Sequence, residues 1–106
     1  MFDKDGNQYH LLINEYASEI YYKIKVLPND VVIIKSSSGA FCSSNIDIIL
    51  RNNNISRLII GGGLTDACVE STVREAYDNG YLCTVVDDAC ITTSEEFHKA
   101  ALKVLS

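Results

Sequence analysis

Three short apolar runs, Val31-Val32-Ile33-Ile34, Leu58-Ile59-Ile60 and Leu82-Cys83-Thr84-Val85-Val86, alternate with stretches whose apolar residues recur at helical spacing. This alternation constrains the fold more than any other feature of the chain. Runs rich in β-branched residues, without polar alternation, have the composition of strands buried on both faces. The first intervening stretch carries Ile46, Ile49 and Leu50 behind Ser43 or Ser44 as a cap and stops near Asn52 to Asn54. The second is capped by Thr65 or Asp66, carries Val69, Thr72, Val73, Ala76 and Tyr77 along one side, and stops at Gly80. Glu70 and Arg74 sit one turn apart on its outer face and are expected to pair. In the third, Thr93-Ser94-Glu95-Glu96 reads as a capping box ahead of Phe97, Ala100, Ala101 and Val104. Strand followed by helix, three times over, predicts a parallel α/β sheet with right-handed crossovers over residues 31–106. Residues 1–30 read as an irregular lead-in, with a short strand candidate at Tyr9 to Ile13, an equivocal stretch from Asn14 to Tyr22, and a turn at Leu27-Pro28-Asn29-Asp30.

Composition narrows the functional classes. A chain of 106 residues, 47% hydrophobic and 22% charged, accommodates one globular domain or part of one. The net charge of -5 and the scattered Lys and Arg residues disfavour nucleic acid and anionic membrane as partners. No apolar run reaches membrane-spanning length, and the opening MFDKDGNQYH lacks the basic and apolar regions of a signal peptide, so a cytoplasmic protein is expected. In that compartment Cys42, Cys68, Cys83 and Cys90 are expected as free thiols. No C-x-x-C pair occurs and His10 and His98 stand apart, so neither a metal site nor a cofactor is expected.

The chemistry concentrates in GGGLTDACVE, Gly61 to Glu70. Ligands of open α/β sheets bind beyond the carboxyl ends of the strands. Those ends carry Lys35, the glycines with Cys68 behind them, and Asp87 and Asp88. A thiolate in a first helical turn is stabilised by free amides and the helix dipole, and by a neighbouring ammonium, which makes Cys68 a candidate nucleophile. The same residue can equally be a small hydrophobe in the packing. A third reading is nucleotide binding by a glycine loop, with Asp87, about 24 residues beyond Gly63, near where the ribose acid of a dinucleotide fold falls. Its fingerprint is incomplete, because the third glycine position falls on Asp66 and no Lys-Ser or Lys-Thr follows. Cys42, Cys83 and Cys90 read as packing residues, and His98 as a residue on a helix surface.

Gly62-Gly63-Leu64-Thr65-Asp66-Ala67-Cys68-Val69, continuing to Gly80-Tyr81, resembles the active-site segment of the isochorismatase-like cysteine hydrolases. Upstream, Lys35, Gly39-Ala40-Phe41, Asp47 and Leu50-Arg51 resemble that family's lysine-bearing segment. Downstream, Cys83, Asp88-Ala89-Cys90 and Glu96 to Leu102 continue the likeness. Within the family the pattern is nearest to the ureidoacrylate, carbamoylsarcosine and biuret hydrolases. The resemblance implies a three-layer sandwich with a parallel, Rossmann-like sheet flanked by helices. It also implies cleavage of a C–N bond in a small amide or ureido compound, without a cofactor, by a homo-oligomer.

Carried over residue by residue, it makes Cys68 the nucleophile and Lys35 the cation beside it. A cis peptide is implied between Gly63 and Leu64, with the amides of Leu64 and Cys68 as the oxyanion hole and Phe41 and Thr65 as substrate contacts. Gly63 departs from the larger apolar residue common there. The family's catalytic aspartate, at the end of its first, central strand, has no counterpart here, since Asp3 and Asp5 lie in a polar stretch close before Lys35. The expectation is therefore a single partial domain that begins after that strand and has an open sheet edge. The alternative is a non-catalytic binding or assembly module of the same fold.

Overall fold

The computed structural model of the protein describes Asp5 and residues 19–106. The chain divides into two compact units, residues 1–31 and 32–106. In the first, Asp30 closes the expected turn, its N–H donating to the Leu27 carbonyl at 3.0 Å while its carboxylate accepts the Leu27 N–H at 2.7 Å. The strand candidate at Tyr9 to Ile13 lies outside the described residues.

The second unit runs α1 (Ile46–Asn52), β1 (Arg57–Gly63), a π-helical turn (Thr65–Val69), α2 (Glu70–Asp78), β2 (Leu82–Ile91) and α3 (Glu95–Leu105). β1 and β2 pair in parallel, from Arg57 opposite Leu82 to Gly63 opposite Ile91, with a bulge between Ile60 and Gly62. The bulge lengthens both strands beyond their apolar runs. Ile60 faces Val85, whereas Gly62 faces Cys90, so Asp87 and Asp88 belong to the strand instead of ending it.

Val31 to Ile34 forms no strand. A strand needs a neighbour to take its N–H and C=O groups, and among the described residues nothing pairs there; Val31, Val32 and Ile34 lie exposed. β1 is likewise covered on one face only, with Leu58 and Ile60 turned inward and Ile59 81% exposed. Apolar composition was thus a sound guide to strand propensity but overstated burial.

The core forms where α2 and α3 meet the π-helical turn: Val69, Val73, Ala76 and Ala101 are buried with Thr65. Gly80, at φ +88°, ends the α2 segment in the left-handed region, and Tyr81 behind it is buried. The Tyr81 hydroxyl donates to Asp47 Oδ1 at 2.6 Å, and Arg51 lies over its ring at 4.7 Å from the centroid, which fastens α1 to the start of β2.

The caps differ from expectation in detail. α1 starts one residue after Asn45; Ser43 and Ser44 donate back to the carbonyls of Gly39 and Ala40, and the Ser44 hydroxyl also accepts the N–H of Ile46, the first residue of α1, at 3.2 Å. Ser94 caps α3 by accepting the Phe97 N–H at 3.2 Å, so N3 is Phe97 and the reciprocal half of a capping box is absent. The Glu70–Arg74 pair forms, at 3.0 Å.

Candidate active site

The three glycines are strand residues, not a phosphate-cradling loop. At Gly61 a Cβ would stand 3.0 Å from the Ala89 carbonyl oxygen, so the bulged part of β2 can approach only a bare backbone. Gly62 has φ +128°, a conformation that L side chains rarely adopt. The Gly63–Leu64 peptide that follows is cis. The chain leaves β1 through this bond and enters the π-helical turn, where the Leu64 carbonyl accepts the N–H groups of both Ala67 and Val69. Cys68 stands within this turn, partly exposed and free.

Neither expected cap residue caps α2, because both side chains are drawn across to the segment after β2. Asp66 Oδ1 accepts a short hydrogen bond from the Thr92 hydroxyl. Thr65, 0% exposed, has its hydroxyl 2.9 Å from His98 Nδ1, and His98 Nε2 lies 2.6 Å from Asp87 Oδ1. The two acids that a dinucleotide reading would aim at a ligand are therefore both engaged, Asp66 with Thr92 and Asp87 with His98.

The loop from Lys35 to Cys42 lies against α2. Lys35 Nζ donates to the carbonyls of Ser37 and Ser38, at 2.6 and 3.2 Å, and so closes its own loop; neither bond reaches Cys68. α2 holds this loop by its backbone. Thr72 Oγ1 accepts from Ala40 N at 3.2 Å, and Glu75 Oε2 accepts from the N–H groups of Phe41 and Cys42 at 2.8 and 3.4 Å. Gly39 is pressed against the same carboxylate, where a Cβ would overlap Glu75 Oε1. Burial pushes the Glu75 carboxyl up. Hydrogen bonds from the Cys42 side chain and from the Phe41 and Cys42 amides, with the charge of Lys35, outweigh it and hold the carboxyl below its ordinary value. The Phe41 ring packs on Tyr81, centroids 5.5 Å apart.

Thus the fold places Thr65 and Cys68 in one turn, with Leu64 just before it and Gly63 at the end of β1, and sets the loop after Lys35 on the helix that continues from the turn. Sequence reasoning missed His98 and Glu75. His98 had a signal: it lies three residues before Ala101 on α3, on the same face, and Ala101 is buried. Glu75 follows Thr72 by three residues and so shares its face, but nothing local marks that face as receiving a loop.

β1 and β2 pair in parallel, and β1 runs through the cis peptide into the turn that holds Cys68; in open parallel sheets such strand-to-helix turns are where ligands bind. The Isochorismatase domain model matches residues 1–106, and the chain belongs to that family. It is 36% identical over 89 residues to the ureidoacrylate amidohydrolase RutB of Caulobacter segnis, covering 83% of this chain and 37% of the relative. The crystal structure of N-carbamoylsarcosine amidase from Thermoplasma acidophilum superposes with a TM-score of 0.78 at 28% identity, over 87% of this chain and 54% of that one. An isochorismatase-like hydrolase from Alkaliphilus metalliredigens shares the fold with a TM-score of 0.85 at 24% identity, covering 88% of this chain and 49% of the other. The chain spans about half the length, or less, of the curated relatives it matches.

Proposed function

We propose that this chain carries the nucleophile of a cysteine hydrolase that cleaves the C–N bond of a small amide or ureido compound. The observation that supports this best is the position of Cys68, free and partly exposed in the first turn after β1. It stands so in a chain similar to a ureidoacrylate amidohydrolase and to an N-carbamoylsarcosine amidase.

On this reading the Cys68 thiolate attacks the carbonyl carbon and forms a C–S bond, while the amides of Leu64 and Cys68 stabilise the oxyanion. The C–N bond then breaks and the nitrogen leaves with a proton. Water cleaves the thioester, which frees the acid and restores the thiol. Lys35 supplies the cation after exchanging its loop carbonyls for the charge at the site. The group that takes the thiol proton and passes it to the leaving nitrogen is a carboxylate outside the described residues, from another segment or a second subunit. The protein works in the cytoplasm as a homo-oligomer.

Incubation with a panel of small amides and ureido compounds, read as ammonia release and as the mass of an acyl adduct, tests this. Release that disappears in Cys68→Ala is the expected result. No release and no adduct on Cys68 from a folded, assembled protein would contradict it. A second reading, a binding or assembly module, is favoured by the exposed apolar sheet residues Ile59 and Ile91. It predicts self-association without turnover, and a monomer by light scattering would count against it.

A further inference from the structure

The side chains of Thr65, His98 and Asp87 form a hydrogen-bonded relay that crosses from the turn before Cys68, through α3, to the bulged part of β2. It has the composition of a hydroxyl–imidazole–carboxylate triad, yet Thr65 is fully buried, so its hydroxyl cannot meet a substrate. The relay therefore holds something in place. An ionised carboxylate only accepts hydrogen bonds, so the bond to Asp87 puts the proton of a neutral His98 on Nε2. Nδ1 is then left as an acceptor, and the Thr65 hydroxyl donates to it. In the neutral ring the roles run from Asp87 inward: carboxylate sets tautomer, tautomer sets hydroxyl, and the hydroxyl belongs to the first residue of the turn that carries Cys68.

We propose that His98 is a positioning residue for the Cys68 turn, with Asp87 selecting the ring tautomer that lets it grip Thr65. Its effect on reaction rate rests on the reading of Cys68 as nucleophile; its effect on the geometry of the turn does not. Two more contacts converge on the same place. Asp66, next to Thr65, is tied to Thr92 just beyond β2, and α3 packs directly on the π-helical turn. Loss of the imidazole acceptor would leave the Thr65 hydroxyl buried without a partner, a state that proteins avoid.

The test uses the full chain with three variants. His98→Asn keeps an acceptor where Nδ1 stood, His98→Leu removes it, and Asp87→Asn replaces the carboxylate by an amide at a side chain that is 75% exposed. Ring-nitrogen NMR should find the Nε2–H tautomer in the parent protein and lose its dominance in Asp87→Asn. Amide NMR signals of Gly63 to Cys68 should move in His98→Leu and return in His98→Asn. Iodoacetamide alkylation of Cys68, referred to the other cysteines of the same molecule, should fall roughly tenfold or more in His98→Leu and recover in His98→Asn. An Nδ1–H tautomer in the parent, or turn signals indifferent to the Leu and Asn variants, overturns the proposal even if Cys68 proves reactive. Turn signals that follow the variants while Cys68 in the parent reacts no faster than the other thiols uphold the positioning role and reject the nucleophile.

Discussion

Glu75 Oε2 accepts the Phe41 N–H at 2.8 Å, the shortest of the three hydrogen bonds that join the loop after Lys35 to the helix continuing from Cys68. Thirty-four residues separate the two in sequence. Through these bonds the loop that follows Lys35 is held on α2, the helix into which the turn bearing the thiol runs.

Glu75 makes the clamp sensitive to acid. Its carboxyl is held below the ordinary 4.5, so between the folded and unfolded values the unfolded chain binds more protons. The clamp's contribution is then fully present above the unfolded value and is lost as pH falls through the folded one. Denaturant titrations at several pH values should show stability rising with pH through this acid window. Glu75→Gln should flatten that rise and lower stability at neutral pH; an unchanged acid limb would contradict the assignment.

The core leaves no room at Ala76, which is 0% exposed between α2 and its neighbours. Ala76→Leu should cost about 1 to 3 kcal/mol by overpacking. Chemical denaturation checks this, and a cost below about 0.5 kcal/mol would mean that the core is looser than described.

The left-handed Gly80 has open space where a methyl group would stand, with nothing within 4 Å, so its demand is purely conformational. Gly80→Ala should destabilise by roughly 1 kcal/mol, and Gly80→Asn by less, since Asn enters this region more readily. Equal cost for Ala and Asn would point to a steric cause instead.

Among the thiols, burial pushes Cys83 up, which lowers its thiolate fraction at neutral pH. Cys83 should therefore alkylate slowest in the folded chain and gain most on unfolding. Peptide mass spectrometry with and without denaturant reads this directly, and fast labelling of native Cys83 would contradict its burial.

The strand and helix order from Leu58 onward was legible because periodicity is local: Leu58 to Ile60, the α2 face and the α3 face each announce themselves within a few residues. Val31 to Ile34 shows where that logic ends, since composition reports willingness to pair and not the presence of a partner. The glycines misled in the other direction. Gly61 is pressed close by Ala89, which lies 28 positions away in the chain beside a bulge that no local pattern encodes. The position of Cys68 was readable from its motif, whereas His98 and Glu75 act through Thr65 and Phe41 across long stretches of chain. Such pairings become visible only when the elements are in place.

The most direct test of the account is the iodoacetamide labelling rate of all four cysteines at neutral pH, compared between the parent chain and Lys35→Ala. The account predicts that Cys68 labels fastest and loses its advantage when Lys35 is removed. Equal rates at all four cysteines, or a Cys68 that labels only after unfolding, would contradict it.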